Sequence, residues 1–181
     1  MKKTVTILLA AALTMASVPA FAADAVTATP NSSSVLVNGT DTKFEAYNIG
    51  GYNYFKLRDI SYSLNGTTNS FSVAWDAENN AMSLTTKAEY TAVGGEMAVS
   101  ENTDKKSAVA SDSKVLVDEK EVTLEAYNID GYNYFKLRDL GDALGFTVDW
   151  NAETSTISIT TAAETTEEGT TTETPATEST K

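Results

Sequence analysis

Apolar and polar positions along this chain follow two periods, and the periods recur in the same order twice. Lys114 to Val117 predicts a short apolar strand, and Asp118-Glu119-Lys120 a polar turn. From Glu121 to Ile129, Val122, Leu124 and Ala126 alternate with Thr123, Glu125 and Tyr127, the period of two that a strand with one buried face requires. Asp130-Gly131 reverses the chain into an aromatic strand, Tyr132 to Lys136, which completes a three-stranded meander. The period then lengthens: Leu137, Leu140, Ala143 and Leu144 form one stripe of a short helix, and Gly145 follows where a left-handed helix end favours glycine. Phe146, Val148 and Trp150, then Ile157 and Ile159, alternate about a turn from Asn151 to Ser155 and predict a closing hairpin. The predicted unit is β-β-β-α-β-β, a small antiparallel sheet curled over one short helix, and the fold class is α+β.

The same unit occurs earlier. Glu45 to Asp59 returns as Glu125 to Asp139 with a single difference, Gly50 against Asp130. Asn38-Gly39 supplies the opening turn, Ile60 and Leu64 the helix stripe, Phe71, Val73 and Trp75 the next strand, and Met82 and Leu84 the last. The offset between copies falls from eighty at Asp59 to seventy-five at Trp75, which places a five-residue insertion at Gly66 to Ser70, a surface loop. The division that follows is a first repeat at 33–86, an inter-repeat segment at 87–112 and a second repeat at 113–161. Within the segment, Tyr90 to Val99 holds a short apolar piece that could add a strand, and Ser100 to Ser107 reads as linker. Units of about 50 residues are marginal alone, so the copies are expected to pack on each other.

The ends add location. Lys2 and Lys3, the apolar run from Val5 to Val18 and Ala20-Phe21-Ala22 read as a signal peptide at 1–22, so the chain is expected to be exported: secreted, cell-surface or periplasmic. That run is too short for a membrane span, and no later one reaches the ~20 apolar residues needed. The stretch 162–181, rich in Thr and Glu with no apolar residue larger than Ala, is expected to be disordered. The formal charge of −12, two more negative once Lys2 and Lys3 are removed, argues against nucleic acid and other polyanions as direct partners. With no Cys and no His, disulfides, thiolate and imidazole catalysis, and ordinary zinc or copper sites are all excluded.

Tyr54-Phe55-Lys56-Leu57-Arg58-Asp59 with Val73-Ala74-Trp75-Asp76, and Tyr134-Phe135-Lys136-Leu137-Arg138-Asp139 with Val148-Asp149-Trp150-Asn151, resemble the copper amine oxidase N-terminal-like domain, the stalk module of exported bacterial proteins. The resemblance implies a small antiparallel sheet wrapped on a helix, used as an appendage and not as a catalyst. In the oxidases the copper belongs to another domain with histidine ligands. Where the family commonly has proline before Leu-Arg, this chain has Lys56 and Lys136.

Among individual residues, Asp59 and Asp139 read as N-caps of the two short helices, and Arg58 and Arg138 as ties from strand to helix through a carbonyl or a carboxylate such as Glu45 or Glu125. The candidate binding surface is Tyr47, Tyr52, Asn53 and Tyr54 with Tyr127, Tyr132, Asn133 and Tyr134. A flat tyrosine platform flanked by amides suits sugar rings or another protein, while the competing reading packs these rings between the copies. No cofactor, metal or catalytic residue is expected. The function read from the sequence is a noncatalytic binding or interaction module of the bacterial cell envelope, with cell-wall glycan or an envelope protein as partner. A structural spacer or self-associating surface component is the alternative, and a carboxylate-based hydrolase a more remote one.

Overall fold

In the computed structural model residues 24–100 and 104–162 are described, and the signal peptide expected at 1–22 and the residues 163–181 of the stretch expected to be disordered lie outside them. The protein is mostly sheet with two short helices, an α+β fold. Each half runs through five strands, a helix and two strands. The first half comprises β1 (Val26–Pro30), β2 (Ser34–Val37), β3 (Thr40–Asp41), β4 (Ala46–Ile49), β5 (Tyr52–Lys56), α1 (Leu57–Ser63), β6 (Phe71–Asp76) and β7 (Ala81–Thr86). The second comprises β8 (Lys106–Ala110), β9 (Lys114–Val117), β10 (Lys120–Val122), β11 (Ala126–Ile129), β12 (Tyr132–Lys136), α2 (Leu137–Leu144), β13 (Thr147–Asn151) and β14 (Thr156–Thr160).

The strands do not form one curled sheet per copy. Six of them close a barrel in the order β1-β4-β5-β12-β11-β8, and the other eight form two four-stranded sheets, β10-β9-β7-β6 and β13-β14-β2-β3. Both smaller sheets are shared between halves: β9 lies parallel to β7 with Val115 opposite Met82, and β2 lies parallel to β14 with Val35 opposite Ile157. The barrel is shared too, through antiparallel pairing of β5 with β12, where Phe55 faces Phe135, and of β1 with β8.

Two expectations change here. The predicted strand from Glu121 to Ile129 is broken into β10 and β11, which belong to different sheets, and β3 and β4 break in the same way. Alternation persists across the break because Val122, Leu124 and Ala126 all face the same core, although their backbone partners differ. The second change is that β8 lies partly in the predicted linker and β1 ahead of the predicted first repeat, while Tyr90 to Val99 forms no strand.

All six barrel strands contribute to one buried cluster inside the barrel: Ala28, Tyr47, Ile49, Tyr54, Ala108, Ile129 and Tyr134, with Tyr127 against it. Outside the barrel a larger core joins Phe55 and Phe135 to Leu57, Ile60, Leu137 and Leu140 of the helices and to Val35, Leu84, Val115 and Ile159 of the sheets. The insertion Gly66 to Ser70 reaches the other half: Asn69 donates its amide to the Leu144 carbonyl at 3.0 Å and accepts from Ala162 N–H at 2.9 Å, binding the end of α2 to the end of the second half.

Candidate functional site

The tyrosines divide into two groups. Tyr47, Tyr54 and Tyr134 are buried in the barrel and Tyr127 is partly buried, so these four do not belong to an exposed platform. Their rings meet across the halves edge to face, Tyr47 with Tyr134 and Tyr54 with Tyr127, both at 5.3 Å between centroids. The cause is the barrel's closure: residues of one strand parity all point inward, and the small Ala28 and Ala108 leave the interior to the rings. Glu45 accepts from the hydroxyls of Tyr47 at 3.3 Å and Tyr134 at 3.2 Å. Burial, reinforced by the Glu45 charge, pushes the Tyr47 phenol up to about 12 and raises that of Tyr134 further.

Tyr52 and Tyr132, at the starts of β5 and β12, are each 53% exposed. The neighbouring amides serve the hairpins: Asn48 and Asn128 each accept from the turn glycine N–H, of Gly51 and Gly131, at 3.2 Å. Asn53 accepts from the side-chain amides of Asn31 at 2.9 Å and Asn48 at 3.1 Å, and Asn133 from that of Asn128 at 3.4 Å. Asn53 and Asn133 nonetheless line the cavities described next.

Each exposed tyrosine is one wall of a cavity built at the junction of the halves. The first groove, about 290 Å³, is lined by Lys56, Arg58, Asp59 and Trp75 of the first half and Tyr132 and Asn133 of the second. The second, about 560 Å³, is lined by Lys136, Arg138, Trp150 and Ile157 of the second half and Tyr52 and Asn53 of the first. Trp75 and Trp150 are 48% and 46% exposed. The lysines join the walls: the Lys56 ammonium lies 4.8 Å from the centroid of the Tyr132 ring and that of Lys136 4.1 Å from that of Tyr52, a cation-π arrangement. A tryptophan, a tyrosine and two cationic side chains in one concave place form a surface suited to planar, apolar or anionic groups.

The carboxylates and arginines take other roles than those expected from sequence. The helices begin at Leu57 and Leu137 with Lys56 and Lys136 in the N-cap places, so Asp59 and Asp139 sit inside the first turn and make no cap bond to their own helix. The helix stripe starts at the residue after the strand, which leaves no room for a cap at the aspartates. Asp59 is 1% exposed; one oxygen accepts from Met97 N–H at 3.1 Å and the other has no hydrogen-bond partner among the described residues. Burial raises its pKa, opposed chiefly by the Met97 amide. Glu45 is paired by Lys56 at 2.5 Å and not by Arg58; Arg58 and Arg138 are exposed beside the cavities. Lys56, Lys136, Trp75 and Trp150 were missing from the sequence-based surface. Their signal was in the duplication, since each recurs at its matched place, but the period of two alone assigned the tryptophans to a buried face.

The family model for the copper amine oxidase N-terminal domain matches residues 35–159, and the chain belongs to that family. Comparison with curated proteins and with solved structures finds no match. The domain is a noncatalytic part of the oxidases. The family name raises copper, but the residues do not fit it: the chain has no His or Cys, and no group of three metal-ligating side chains occurs among the described residues. No helix among the described residues is long and apolar enough to cross a membrane.

Proposed function

We propose that this protein is an exported, noncatalytic binding module of the bacterial cell envelope, which engages cell-wall glycan or another envelope protein through its paired aromatic grooves. The observation that carries this reading is the exposure of Tyr52 and Tyr132, each opposite an exposed tryptophan in a concave site. A large aromatic ring left half in water in this way gains free energy when a partner covers it. Family membership supports the noncatalytic part, and the segment 1–22 supports export.

Pulldown of purified mature protein on insoluble cell wall and on envelope protein extracts tests the reading. Retention is expected, and the double substitution Tyr52→Ala/Tyr132→Ala should reduce it at least tenfold. Retention indifferent to both substitutions would remove the aromatic grooves from the account, and no retention on any envelope material would favour a structural spacer.

A further inference from the structure

Both grooves carry a lysine, an arginine, a tryptophan and a tyrosine on their walls, and Pro30 to Ser33 border the second as well; among the described residues, a segment following the last strand of a half lies in the first groove only. Residues Gly94, Gly95 and Glu96 line that groove, and the backbone just beyond them is held at two successive residues. Asp59 accepts from Met97 N–H at 3.1 Å, and the Lys56 ammonium donates to the Ala98 carbonyl at 3.3 Å. One acceptor and one donor, held by the first turn of a helix and the residue before it, thus read the backbone of successive residues without reference to their side chains. The same pair recurs as Asp139 and Lys136 in the second half. There the two side chains fold onto each other, 3.4 Å apart, and the cavity is about 560 Å³ against about 290 Å³ in the first groove.

We propose that the second groove binds an extended peptide segment of a partner protein, with Asp139 accepting from a backbone N–H, Lys136 donating to the carbonyl of the next residue, and Trp150 and Tyr52 clasping an adjacent side chain. The first groove is the internal precedent for the ligand class. Exposed Arg138 beside Lys136 adds a preference for an acidic residue nearby. A partner segment is favoured over the chain's own residues 163–181 because these hold no apolar residue larger than Ala and Pro, and so nothing to fill the space between the two aromatic walls. The inference deepens the binding-module reading at one groove and shares Tyr52 with it.

The test uses the mature protein carrying Trp75→Phe, in which Trp150 is the sole tryptophan, and a blocked synthetic peptide with the sequence of residues 90–98. Titration should give a saturable change in indole fluorescence. Asp139→Ala and Lys136→Met should each weaken binding at least tenfold with the thermal melt retained, while Asp142→Ala on the helix should leave it unchanged. No saturable change, or an affinity in Asp139→Ala and Lys136→Met equal to that of the Trp75→Phe parent, would overturn the proposal. So would tighter binding of a peptide of residues 163–171, which would make the groove a seat for this chain's own end. Loss of peptide binding with wall retention intact would sink this inference and leave the binding-module reading standing.

Discussion

Single residues separate the two halves more than their near-identity suggests, and Glu96 is the clearest case. Its carboxylate accepts from the Tyr90 hydroxyl at 2.7 Å and from the amides of Val93 and Gly94, each at 2.9 Å. The Tyr90 bond, followed by the Val93 amide, holds Glu96 down to about 2 from its usual 4.5. A depressed carboxylate contributes stability that is complete above its unfolded value and disappears as pH falls toward the folded one. The segment over the first groove should therefore loosen between about pH 4.5 and 2, detectable as faster hydrogen exchange at the Val93 and Gly94 amides relative to the barrel strands. Glu96→Gln should remove that pH dependence, and exchange that follows pH equally in both proteins would refute the assignment. Asp59 acts in the opposite sense. Its raised pKa means that ionisation costs stability as pH rises, so the two carboxylates of one groove partly offset each other in a global acid titration.

At the scale of elements, the helices show how one position solves the same packing problem twice. Ser61 of α1 donates its hydroxyl to the Phe71 carbonyl at the start of β6, within the buried core. Its counterpart Gly141 in α2 faces the Phe146 carbonyl so closely that an added Cβ would stand 2.7 Å from that oxygen and 3.2 Å from a Val148 methyl. Gly141→Ala, which would favour an isolated helix, is thus expected to destabilise the protein by about 1–3 kcal/mol, read from the urea midpoint. A neutral or stabilising outcome would show that the segment from Phe146 to Val148 gives way freely. The sequence made the helices, the closing hairpins and the left-handed Gly145 legible, because each has a local signature in period or turn chemistry. It hid β1 and β8, whose inward positions hold only Ala28 and Ala108, too small to mark an apolar period. The grooves were half legible for a related reason. Tyr52 and Tyr54 share a strand face, but exposure is decided by distance from the barrel's end, where Tyr52 stands in water and Tyr54 is buried.

For the whole molecule, the halves relate as two subunits of a symmetric dimer joined into one chain. Every shared pairing has a reciprocal or self-reciprocal form: β7 with β9 answers β14 with β2, while β5 with β12 and β1 with β8 each join matching strands. An isolated half would leave β9 and β10 without β7, β13 and β14 without β2, and a three-stranded half-barrel with its tyrosines in water. The residues it would need are present in a second copy of itself, since β12 and β5 both read Tyr-Asn-Tyr-Phe-Lys. Residues 104–162 expressed alone are therefore expected to fold only by pairing with another such fragment, the isologous contact that two-fold symmetry permits. Sedimentation should give twice the fragment mass, and the melting temperature should rise with concentration because association and folding are one equilibrium. A folded monomer with a melting temperature independent of concentration would show that each half carries a sufficient core, and the shared sheets would then be a docking of independent domains. The same fragment dimer would carry two copies of the Lys136, Arg138 and Trp150 groove and no covering segment from 90–98, so peptide binding at two sites per dimer would join the symmetry argument to the proposed ligand class.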